Sequence, residues 1–97
     1  MFKEELLKEI LDFVEKKNKY FFTKEELLVH LYYKYRLQGK TNSLSFESII
    51  RKLRKLAQEG FLLKKYKEVE EWGFTKRVVY YPVKTRIKSY LLKHAKS

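Results

Sequence analysis

The 97-residue chain has no cysteine, one proline, three glycines, two histidines and a single aspartate. Without cysteine there are no disulfides and no thiolate metal sites, and the composition allows an intracellular location, cytoplasmic or, for a viral source, host-cytoplasmic. Three glycines leave little room for a phosphate-cradling loop. Apolar runs never exceed three or four residues, so no transmembrane span is expected. The first nine residues carry Glu4, Glu5 and Glu9 and no long apolar run, unlike a secretory leader. Asparagine, glutamine and methionine are also scarce while lysine and glutamate abound, a bias found in proteins from hot environments.

What is present is aromatic and basic. Aromatic residues make up 16% of the chain and apolar residues 44%, enough for a core, with a net charge of +11. The excess is uneven. Residues 1–26 carry net −1, residues 27–67 net +8 and residues 68–97 net +4. Charge placed only for solubility would be spread out, so the concentration points to a face that meets a polyanion.

Hydrophobic spacing divides the chain into elements. Residues 2–17 read as a first helix whose apolar residues cover about 180° of arc, wider than an ordinary surface helix requires. Such a helix is expected to pack on two things, the core and a second subunit. Lys19 to Phe22 is long enough for one short strand. Thr23-Lys24-Glu25-Glu26 is a capping box, and Phe22 with Leu27 is the matching hydrophobic staple, so a second helix starts there and runs through Arg36. It is expected to bury Leu27, Leu28, Leu31, Tyr32 and Tyr35, leaving Val29 and Tyr33 outside. Residues 38–43 (QGKTNS) are a turn. A third helix follows from Ser45 with Phe46, Ile49, Ile50, Leu53, Leu56 and Ala57 within about 120° of arc, and Gly60 ends it. FLLKKYKEV and TKRVVYYPV then switch to strand period and flank a turn near Trp72-Gly73, giving a β-hairpin over about 61–83. Residues 85–95 form a last helix with Ile87, Tyr90, Leu91 and His94 at helical spacing. No repeat or linker interrupts the chain, and residues 1–97 read as one α+β domain.

In this order of elements, SFESIIRKLRKLAQEGFL resembles the recognition helix and first wing strand of the winged helix-turn-helix family, and the resemblance covers roughly residues 2–83. It extends to small Lys- and Tyr-rich winged-helix proteins of archaea, their viruses and plasmids. It implies a three-helix core, a β-hairpin wing and an extra C-terminal helix, with residues 45–59 as the recognition helix. It also implies dimerisation through terminal helices, for which Phe2, Leu6, Ile10 and Phe13 of the first helix and Ile87, Tyr90 and Leu91 of the last are the candidates.

The chemistry expected of these residues is nucleic-acid binding. Ser45, Glu47 and Ser48 would face base edges in the major groove of double-stranded DNA, with Arg51 and Lys55 further along the same face and Lys52 and Arg54 beside it. Lys40, Thr41, Asn42 and Ser43 would meet phosphates from the turn, and Lys76 and Arg77 from the wing. Alternation puts Lys65 and Lys67 on one face of the hairpin and Lys64 on the other. The acidic tip, Glu68, Glu70 and Glu71, either pairs with these bases or blunts the hairpin edge. Trp72 packs on its own hairpin, or stacks on a sugar or base, or meets a protein. His30 and His94 lie on different helices without carboxylates at ligand spacing, so neither a metal, a cofactor nor catalysis is expected. Balanced charge on the first helix argues against membrane binding. The expected function is sequence-specific binding of double-stranded DNA by a homodimeric transcription regulator. Sequence-independent DNA or RNA binding and a protein-interaction module are the alternatives.

Overall fold

The computed structural model describes residues 1–39, 45–70 and 74–94, without the side chains of residues 69, 70 and 74–76. Four helices and one antiparallel hairpin make a small α+β fold: α1 (Lys3–Lys16), α2 (Lys24–Leu37), α3 (Phe46–Gln58), β1 (Leu62–Glu70), β2 (Phe74–Pro82) and α4 (Lys84–His94). Among the described residues no helix is long and apolar enough to cross a membrane.

Local chemistry sets the helix ends. The Thr23 hydroxyl accepts from the Glu26 amide (3.2 Å), and the Glu26 carboxylate accepts from the Thr23 amide (3.1 Å), the two halves of a capping box. Phe22 and Leu27 on either side are both fully buried. Thr23→Ala removes one half of the box and is expected to cost about 1 kcal/mol, read as a fall of roughly 4–8 °C in melting temperature. At the end of α3 the Phe61 amide donates to the Leu56 carbonyl (3.0 Å) and the Gly60 amide to the Ala57 carbonyl (3.2 Å). This is a Schellman turn with Gly60 at φ +87°. A side chain there would strain the backbone and meet the Arg86 guanidinium at 2.7 Å. Asn18 (φ 52°) closes α1 in the same way.

The hairpin pairs Leu62 with Pro82 through to Glu70 with Phe74. Of the short strand expected over Lys19 to Phe22, only Phe22 pairs, as a single bridge: its amide donates to the Tyr80 carbonyl (3.0 Å), and its carbonyl accepts from the Tyr80 amide (2.8 Å). That pair fastens the hairpin to the chain between α1 and α2.

The core draws on every element. Leu6, Leu7, Ile10 and Val14 of α1 meet Leu27 and Leu31 of α2, Ile49, Leu53 and Leu56 of α3, Leu62 and Tyr80 of the hairpin and Ile87 of α4. The wide apolar arc of α1 is therefore enclosed within the chain. Leu6, Ile10, Phe13 and Ile87, expected at a subunit interface, are buried in this core: α4 packs on α1, and Phe13 is covered by Phe22 and by His30 of α2. Of the residues expected there, Phe2 is exposed, and Tyr90 and Leu91 are partly buried. Tyr90 donates to the Glu4 carboxylate (3.2 Å), and Lys3 lies between the Phe61 and Tyr90 rings, 4.7 and 4.6 Å from their centres.

Two expected core residues are elsewhere. Tyr32 and Phe46 are exposed and meet edge to face at 6.5 Å. On α2 the buried stripe is centred on Leu27 and Leu31, and at 100° per residue Tyr32 falls outside it. On α3 the stripe follows Ile49, Leu53 and Leu56, which leaves Phe46 at its margin.

Candidate nucleic-acid interface

Helix α3 is sharply two-sided. Its buried stripe seats it on α2 and β1, and this orients the opposite face outward. Glu47, Arg51, Arg54, Lys55 and Gln58 occupy that face and are all exposed, while Ser48 and Lys52 lie part-buried along one margin. Ser45 caps the helix: its hydroxyl oxygen accepts from the Ser48 amide at 3.4 Å. An α-helix with its side chains is about 10–12 Å across, which matches the width of the DNA major groove, about 12 Å.

This face gathers Arg51, Lys52, Arg54 and Lys55 within five residues. Some cations on and beside α1 and α2 are matched with carboxylates: Lys34 with Glu9 (2.5 Å) and Asp12 (3.4 Å), Lys16 with Asp12 (3.3 Å), and Lys19 with Glu26. The hydrogen bond to Glu9 holds the Lys34 ammonium above its ordinary range. Partial burial alone would raise Asp12, but hydrogen bonds from Lys16 and Lys34 outweigh it and keep the carboxyl low. Lys3 pairs with Glu59 (3.2 Å), and Lys88 with Glu15 (3.4 Å). Arg51, Lys52, Arg54 and Lys55 are in no ion pair with a described carboxylate. Their charge is left to the solvent, or to a ligand.

The hairpin divides its own bases by alternation. Leu62, Lys64, Tyr66 and Glu68 share one face with the Tyr80 and Val78 positions of β2, and Lys65 and Lys67 share the other with Val79 and Arg77. Tyr80 marks the side nearer α3. Burial raises its phenol, and the Arg54 guanidinium acts on it in the opposite sense. Although Lys76 and Arg77 were the wing contacts expected from the sequence, it is exposed Lys64 and Tyr66 that lie on this side. Their signal was available in the alternation, but only the packing of α3 on β1 shows which face it selects. Arg77 is on the other face, directly across from Lys67, where both line a groove beside α2. It is not brought together with the α3 residues. Glu68 stands across from Lys76 in the register, and the Lys76 side chain lies outside the described residues. So do Lys40, Thr41, Asn42 and Ser43 of the expected phosphate-binding turn, and Trp72 of the hairpin tip. Among the described residues no three of His, Asp and Glu gather as a metal site. When the chain is compared with known proteins, no family model, no curated protein and no solved structure matches it.

Proposed function

We propose that the protein is a winged helix-turn-helix protein that binds double-stranded DNA with sequence preference and regulates transcription as a homodimer. The observation that carries this reading is the outward face of α3, where three exposed bases, Arg51, Arg54 and Lys55, stand together within five residues and in no ion pair with a described carboxylate. The order of three helices followed by an antiparallel hairpin supports it. In this mechanism α3 enters the major groove. Arg51 reads a base edge, Glu47 and Ser48 contribute near the helix start, and Arg54 and Lys55 meet flanking phosphates. Lys64 and Tyr66 extend the contact along the backbone from the hairpin.

A two-fold dimer would set two recognition helices about 34–36 Å apart on a near-palindromic site. With Leu6, Ile10, Phe13 and Ile87 in the core, the proposed contact falls to Phe2, Tyr90 and Leu91, joined by exposed Leu92.

The test is selection of bound duplexes from a random pool by the natural chain and by Arg51→Ala. The natural chain is expected to enrich a near-palindrome. The variant should lose discrimination at one base pair per half-site, worth about 1–3 kcal/mol. An unchanged preference would remove Arg51 from the reading surface. Steep salt dependence without enrichment would replace sequence-specific regulation with architectural binding.

A further inference from the structure

Helix α2 is apolar on two sides. Leu27 and Leu31 are sealed in the core, yet Val29, Tyr33 and Leu37, spaced one turn apart on the outer side, are 55%, 59% and 90% exposed. A helix apolar on its outward face ordinarily packs against something. Here that face is one wall of a groove of about 1000 Å³, whose other walls are the C-terminal end of α1 and the hairpin. The volume is at the upper end of small-molecule sites, roughly 300–1,000 Å³. Phe13 and His30, stacked at 4.8 Å and 10°, are part of its lining, and Phe21 adds a further ring. Burial pushes the His30 imidazole down from its ordinary range, and its buried Nε2 has no hydrogen-bond partner among the described residues.

The charges around the groove indicate what could lie there. Six cations line it against three carboxylates. Lys16, Lys19 and Lys34 are paired, whereas Lys17 and Lys67 have no described carboxylate partner. The Lys67 ammonium is held 3.9 Å from the centre of the Phe21 ring, an uncompensated cation over an aromatic floor. A neutral apolar ligand would cover this ammonium without a counter-charge, which is costly. A second copy of so basic a chain would set like-charged rims against each other. An apolar anion avoids both penalties.

We propose that the groove between α1, α2 and the hairpin binds a small aromatic or long-chain organic anion, its carboxylate or sulfonate drawn to Lys67 and Lys17 and its apolar body lying on Val29, Tyr33 and Leu37. The site contains no residue of α3, so it stands or falls separately from the DNA reading.

The experiment titrates the full chain with anilinonaphthalene sulfonate, and with uncharged phenylnaphthylamine as the matched neutral ring system, by fluorescence. The sulfonate is expected to saturate at one molecule per chain and to bind at least as tightly as the more apolar neutral compound. Val29→Glu, which sets a carboxylate on the apolar wall, should weaken it by about tenfold or more. Lys67→Gln should weaken the sulfonate about threefold and leave the neutral compound unchanged. Both positions are exposed, and circular dichroism should confirm that both variants fold. Tighter binding of the neutral compound, failure to saturate, or variants indistinguishable from the natural chain would overturn the proposal. Sedimentation provides a further arm: a dimer that dissociates in Val29→Glu would make the occupant a second copy and overturn it as well.

Discussion

Replacing Arg51, Arg54 and Lys55 together with alanine is expected to lower duplex affinity by on the order of a hundredfold at physiological salt, and to reduce the salt slope by up to about 2.7. Each phosphate-paired cation contributes about 0.9 to that slope through counterion release, so the largest reduction requires all three to meet the backbone. A base contact by Arg51 would shift part of the effect from slope to sequence preference. The variant should fold normally, because all three side chains are exposed and none is in an ion pair with a described carboxylate. Alanine is also the stronger helix former. Lys88→Ala is the control: this base is equally charged but pairs with Glu15 on α1, and its loss is expected to leave affinity nearly unchanged. Anisotropy titrations at four or five salt concentrations, with urea unfolding alongside, separate binding from stability. A loss below about threefold would move the polyanion-binding face off α3.

Phe22→Ala is expected to produce the largest loss of stability, about 3–5 kcal/mol. Small domains have only about 5–15 kcal/mol in total, so this substitution alone takes the fold close to its limit. The ring has no solvent exposure and lies 6.2 Å from Phe13 of α1 and 5.8 Å from Tyr80 of β2. Alanine there would leave a cavity where two helices and the hairpin converge, and neighbours held by their own backbone ladders can close it only partly. Phe22→Leu, which keeps most of the apolar volume, should recover more than half of the loss. Urea unfolding of the three chains checks this. If alanine cost less than about 1 kcal/mol, the hairpin would be held by the Phe22–Tyr80 backbone pair and not by the ring.

Thr23, Gly60 and the strand alternation were legible because their causes are local. A capping box closes over four residues, a Schellman turn over six, and a strand alternates every second residue regardless of what it later packs against. Charge asymmetry was equally visible, since Arg51, Arg54 and Lys55 sit in a stretch with few acids and on the face opposite Ile49, Leu53 and Leu56. The breadth of the α1 stripe was visible too, but what covers it was not: α4, some seventy positions away, packs on α1, and Phe22 and His30 cover Phe13, where a second subunit was expected.

The sequence by itself therefore determined where helices and strands begin and end, and which stretch carries the excess positive charge. Tertiary structure alone decided which apolar faces are enclosed. It left Tyr32 and Phe46 outside the core, separated Lys64 from Arg77 across the hairpin, and joined Lys17, Val29 and Lys67 around one groove. The physical reason is reach. Hydrogen-bonded caps and backbone periodicity act within a few residues, whereas burial depends on which elements meet, and residues far apart in sequence acquire a shared surface only once the chain has packed.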